Sequence, residues 1–158
     1  QVTPMFEKQV RYEYTLFHAA VLLAEEKADS AISLAGRAFA PRPRNWSGAS
    51  MAVYSIISSY PPFRDVVARA YLRKGQVAEA IKEYERLTTV DLKKEDRRFI
   101  SPEYHYSLGK LYEKTGQKEK AVGKYERFLR IWKNADSDIP ELKDARQRLA
   151  KLKAGKRE

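Results

Sequence analysis

The chain has 158 residues, 43% of them apolar and 33% charged, with no cysteine and a formal net charge of +10. Disulfides, thiolate nucleophiles and cysteine-ligated zinc are thereby excluded, and the redox compartment stays open. The longest wholly apolar run, AAVLLA at 19–24, is far too short to cross a bilayer, so a soluble helix-rich domain or short repeat array is expected, with the cytoplasm slightly favoured.

The start, QVTPMFEKQ, lacks both an initiator Met and the basic-then-apolar order of a secretory signal, which predicts a processed product or a piece of a longer chain. Residues 5–26 and 29–39 carry apolar positions at helical spacing and read as a degenerate first helix pair, occupying a segment 1–40. DSAI at 29–32 matches AEAI at 78–81, which sets Ala19 opposite Ala68, Leu22 opposite Tyr71, and Glu26 where the later copies have glycine. The loop PRPRNW breaks the chain after this pair. Residues 41–60 form a connector in which Val53, Ile56, Ile57 and Tyr60 have helical spacing, although its serines and β-branched residues suit an irregular segment equally. Trp46 lies in that connector, either plugging a junction or contacting a second chain.

A stronger signal follows. YLRKGQVAEAIKEYERL at 71–87 returns as YEKTGQKEKAVGKYERF at 112–128. One offset, 41 residues, pairs Ala68 with Gly109, Tyr71 with Tyr112, Gly75 with Gly116, Ala80 with Ala121 and Tyr84 with Tyr125. A single offset over five matches marks stacked repeats, here residues 61–100 with a charged linker and residues 101–136. Each copy reads as two helices joined at its glycine, which adopts a left-handed backbone without a side-chain clash. Ala68 facing Ala80, and Gly109 facing Ala121, would let the paired backbones approach closely. Ser101, Pro102 and Glu103 supply a cap, a first-turn proline and an acid set against the helix dipole. Asp138, Pro140 and Glu141 open a last helix within 137–158, with Leu142, Ala145, Leu149 and Leu152 in one stripe facing back onto the preceding pair. It has the character of a capping helix. Trp132, at helical spacing from Tyr125 and Phe128, is expected to pack beneath it.

In AYLRKGQVAEAIKEY and GKLYEKTGQKEKAVGKY the order is small residue, aromatic, glycine turn, alanine, aromatic, and it resembles the tetratricopeptide repeat family. The resemblance implies an all-α fold of stacked antiparallel helix pairs, a right-handed superhelical α-solenoid closed by a capping helix. The run from TTVDLKKEDRRFI through the closing DARQRLAKLK is similar to C-terminal tails of multidomain bacterial signalling proteins, which implies a scaffold or regulatory segment. Leu87 and Phe128 stand where the family has small residues, the closing proline is missing, and the offset exceeds the family's usual period, the extra length falling around residues 91–100.

Catalysis has little to rest on. His18 and His105 lie in different repeats, neither with a triad partner at a recognisable spacing, and both are expected to be packed or solvated. No phosphate-binding glycine loop, HExxH, calcium loop or dinucleotide fingerprint occurs, and EKADS and NADSDIPE lack the shaped oxygen cage a hard cation needs. The chain is therefore expected to be non-catalytic, with no cofactor, no metal and no small-molecule substrate.

The first helices of the repeats are more informative, because in the resembled family their exposed side lines a concave groove. Asp65, Arg69 and Arg73 share one helical face, and Tyr106, Lys110 and Lys114 share another one repeat later. Those rows suit an extended, acidic peptide from another protein or from the parent chain, and equally suit a solvated face. Net charge is +1 over residues 1–60 and +9 over 61–158, so an electrostatic partner would meet the second half. Nucleic acid is disfavoured, since KKEDRR and KLKAGKRE are interleaved with acids or frayed at an end. Self-association through the first repeat and Trp46 is the alternative reading.

Overall fold

A computed structural model describes residues 4–38, 65–89, 100–136 and 138–154. The connector 41–60, Trp46, and nearly all of the charged linker lie outside the described residues. Within them the chain is all-helical: α1 (Pro4–Ala24), α2 (Ala28–Ala38), α3 (Val66–Arg73), α4 (Val77–Thr88), α5 (Pro102–Lys114), α6 (Lys118–Ile131) and α7 (Pro140–Ala154). The helices fall into two compact units, Gln1–Phe99 and Ile100–Glu158. In each unit, neighbouring helices pack in chain order, as a tetratricopeptide-like helical solenoid requires.

Three helix pairs close by the same device. At the α1–α2, α3–α4 and α5–α6 turns, Lys27, Gln76 and Gln117 donate their backbone N–H groups to the carbonyls of Leu22, Tyr71 and Tyr112 at 2.8, 2.9 and 2.8 Å. This bond, reaching back across the last helical turn, requires a left-handed residue just before the donor. Gly75 and Gly116 supply it with φ of 72° and 75°, while Glu26, set at the glycine position by the sequence alignment, adopts φ 63° despite its side chain. The turns of the first two pairs are also tied by charge, Lys74 to Asp29 and Arg73 to Glu26, the latter at 4.0 Å.

The core of the first unit is built from small and branched residues. Leu16, Ala19 and Leu23 of α1, Ala31 and Ala35 of α2, and Val66, Val67 and Ala70 of α3 are buried together, with Tyr71 partly buried against them. The segment read as a degenerate repeat is therefore a working layer on which α3 packs. On the α3–α4 side Ala68, Ala80 and Tyr84 are buried.

In the second unit Tyr104, Leu108, Tyr112, Ala121, Tyr125 and Phe128 fill the α5–α6 interface, and α7 adds Leu142 and Ala145. Leu149 and Leu152 of the expected stripe are only half-buried. The close approach expected between Gly109 and Ala121 takes a different form: a Cβ placed on Gly109 would stand 2.7 Å from Cε1 of Tyr125. An aromatic ring lies against the glycine, so any larger residue must displace it. Ser101 does occupy the N-cap position of α5, but its hydroxyl makes no capping bond; the backbone N–H of Tyr104 donates to its carbonyl at 3.1 Å instead. Trp132 ends α6 half-buried, its ring 5.4 Å from Phe128.

His105 is buried at 7% exposure, and its Nδ1 has no hydrogen-bond partner among the described residues. Burial, reinforced by the positive charges of Lys124 and Arg127, pushes its imidazole down to about 4. The unfolded chain takes up a proton near the usual value of 6.5, which the folded site refuses until about 4. The resulting stability is thus complete above the unfolded value and lost as pH falls through this window, by up to about 3 kcal/mol. Urea titrations of the native chain should show that loss, and His105→Phe should flatten it; an equally steep profile in the variant would remove His105 as the cause.

Backbone substitutions test the packing. Gly109→Ala should destabilise the chain by about 1–3 kcal/mol through overpacking against Tyr125. Gly116→Ala, which meets no atom within 4 Å, should cost about 1–2 kcal/mol from the left-handed backbone alone. Glu26→Gly should instead raise stability by roughly 0.5–1 kcal/mol, the relieved strain exceeding glycine's added chain entropy. Thermal melts of the three variants read these signs directly.

Candidate functional site

The two rows expected to line a groove lie in different units, each described by itself. In the first unit, Asp65 stands immediately before α3, with Arg69 one turn on and Arg73 at the helix end. Asp65 accepts a hydrogen bond from Arg69 Nε at 2.8 Å on one oxygen and from the Tyr84 hydroxyl at 3.2 Å on the other. Burial lifts its carboxyl above the usual carboxylate range, outweighing the opposing pull of Arg69 and Tyr84. Its role is to fix the Arg69 guanidinium, whose side chain is 40% exposed. Arg73 is looser, with 63% of its side chain exposed.

Opposite them runs α1. Ala20, Leu23 and Ala24 of α1, with Arg69, Leu72 and Arg73 of α3, enclose an open cleft of ≈ 350 Å³. Its floor is apolar and small-featured, and two cations stand along one wall. Sequence reasoning identified the cations but singled out none of the apolar residues. Their signal was the run of small residues on α1, Ala19, Ala20 and Ala24, which leaves room beside α3.

In the second unit the row on α5 is more committed. The Tyr106 hydroxyl donates to Asp144 of α7 at 2.8 Å, and its ring lies 5.4 Å from Phe128 and 6.3 Å from Tyr125. Lys110 places its ammonium 5.2 Å from the centre of the Tyr106 ring, and Lys114 is exposed in the last turn. A polar clasp accompanies this row. Arg148 of α7 donates to Asp144 at 2.6 Å and to Glu113 at 3.1 Å, and Glu113 also accepts the Tyr125 hydroxyl at 2.9 Å. Burial, then the hydrogen bond to Asp144, pushes the Tyr106 phenol up to about 12; burial, then Glu113, raises that of Tyr125 further. Partial burial works against ionised Asp144, but hydrogen bonds from Arg148 and Tyr106 hold its carboxyl below the usual range. The bonds to Asp144 and Glu113 raise Arg148 above the ordinary arginine range.

Asp144, Arg148 and Glu113 were not singled out from the sequence. A signal was present: Asp144 and Arg148 repeat the four-residue spacing of Asp65 and Arg69, an acid and an arginine on one helical face. Both pairs also hold a tyrosine hydroxyl on the carboxylate. With Glu113 and Asp144 beside it, the α5 row is closer to charge balance than its own residues suggest.

Among the described residues no three of His, Cys, Asp or Glu gather as metal ligands. His18 is exposed with its ring 5.8 Å from Tyr14, and His105 is enclosed in the α5–α6 packing. Asp29 and Asp138, from the two acid clusters, are ion-paired to Lys74 and Lys143. Among the described residues no helix is long and apolar enough to cross a membrane.

Comparison with known families agrees with the geometry. Tetratricopeptide repeat family models match residues 66–94 and 105–136, which cover α3 with α4 and α5 with α6. No curated protein matches the chain. The fold is one generally used for interaction and not for catalysis. The repeated turn, the glycine beneath an aromatic ring and these two matches identify α3–α4 and α5–α6 as tetratricopeptide repeats, a fold that supports a protein–protein interaction module.

Proposed function

We propose that the cleft between α1 and α3 binds an extended peptide segment that carries acidic residues beside a small apolar anchor. The observation behind this reading is the pairing of an apolar floor, Ala20, Leu23 and Leu72, with Arg69 and Arg73 on one wall. The anchor would exclude water from the floor while a carboxylate meets the guanidinium groups, Arg69 being already oriented by Asp65 and Tyr84. Such preorganisation lowers the ordering cost at binding, so affinity rests on a few anchors and on charge. Tyr106, Lys110 and Lys114 serve the same class of ligand within their own unit. The segment belongs to another protein or to a longer parent chain in which this module acts as a scaffold.

The self-association alternative has one observation in its favour: Tyr14 and Val21 of α1 are 65% and 38% exposed. Light scattering across a dilution series separates the readings, since a monomer at every concentration removes self-association.

Anisotropy titration with a labelled peptide of alternating Glu and Leu, against its Gln-for-Glu counterpart, tests the cleft. The native chain should prefer the acidic peptide, and Arg73→Glu should weaken that binding by about tenfold or more without loss of helicity. Equal affinity for the two peptides, or undiminished binding by the variant, would refute the reading.

A further inference from the structure

The outward face of α6 has a composition that neither the helix pair nor the cleft explains. Lys120, Gly123, Arg127 and Arg130 are exposed and fall in one stripe about 80° wide, running roughly 15 Å along the helix, with the Lys120 ammonium 5.2 Å from the centre of the Tyr112 ring. Ile131 borders the stripe and is 41% exposed. The helix has two carboxylates; Glu119 sits in its first turn, and Glu126 is held by Lys153 of α7 at 2.7 Å. Along the stripe three cations stand against one exposed acid, Glu119, at its edge, so its balance is basic.

Gly123 is the residue that needs a reason. It lies in the middle of α6, where glycine costs about 1 kcal/mol relative to alanine. Unlike Gly109, it makes no room for this chain's own packing, because a Cβ there would meet nothing within 4 Å. An exposed mid-helix glycine does allow a second helix to cross with its backbone close, as small residues do at helix crossings generally.

We propose that this face of α6 docks an acidic amphipathic helix of another protein, which crosses α6 at Gly123. Its carboxylates meet Lys120, Arg127 and Arg130, and an apolar side chain covers Ile131. Charge complementarity selects the acidic partner, and the glycine with the exposed isoleucine selects a helix over a phosphate backbone, which would need neither. This surface is separate from the α1–α3 cleft and does not depend on that assignment.

The test is a selection of displayed helical peptides, unbiased in charge, on the full chain, with a 15-base-pair DNA duplex titrated in parallel. Acidic amphipathic helices should be enriched, and their binding should fall about tenfold or more in Gly123→Leu and in Arg127→Glu with Arg130→Glu, while Arg73→Glu leaves it unchanged. Gly123→Leu improves helix propensity, so its melting temperature should not drop, and lost binding cannot be put down to misfolding. Failure to enrich acidic helices, or full binding by Gly123→Leu, overturns the proposal. So does a result in which only DNA is held, through the same arginines and with steep salt dependence.

Discussion

A helix whose only apolar surface is one stripe must find a partner within reach of that stripe, and how close the partner comes is set by the smallest residues in contact. In the second unit that limit is Gly109, with the Tyr125 ring lying where any side chain would begin. In the first it is a set of alanines, Ala19, Ala31, Ala35 and Ala70, all fully buried. These contacts bring the backbones near enough for tyrosines to span the pair, and the turn must then reverse the chain over a very short distance. A left-handed residue meets that demand at Glu26, Gly75 and Gly116. Helix pairing, turn conformation and aromatic placement are thus consequences of one steric limit.

Polar groups then fix which way each face points. Tyr84 and Tyr106 reach past the apolar layer to place their hydroxyls on Asp65 and Asp144, and each carboxylate in turn holds an arginine one turn further along its own helix. The same arrangement has different results in the two units. Arg69 is left at the wall of an open cleft, whereas Arg148 is turned onto Glu113 and ties α7 to α5. A repeated local device therefore leaves a cation at an open cleft in one place and terminates packing in another, depending on whether an acid faces it.

Much of this architecture was legible because its causes are periodic. The 41-residue offset located both strong helix pairs, and aligning DSAI with AEAI was enough to put Glu26 at the left-handed position. The tyrosine hydroxyl bonds and the Arg148–Glu113 bond were not legible, because their partners lie 12 to 38 residues apart and depend on rotamers that helical spacing does not specify. The cleft was half legible: Arg69 and Arg73 stood out as a charged face, but Leu72 and the α1 residues became lining only once α1 was seen beside α3. Ser101 shows the opposite error, a favourable capping residue whose hydroxyl is not used.

Every described helix in each unit has its main partner next to it among the described elements, whether across a three-residue turn or one element away. Contacts of such short sequence separation lower the entropy that must be lost before the first stable interactions form, which places proteins of this kind among the faster folders. During synthesis α4 can pair with α3, and α6 with α5, as soon as each second helix emerges, with nothing later in the chain needed to complete the pair. The alanine- and tyrosine-rich faces that hold the repeats together are thus exposed only briefly, and the module reaches its folded form with little opportunity to associate through them.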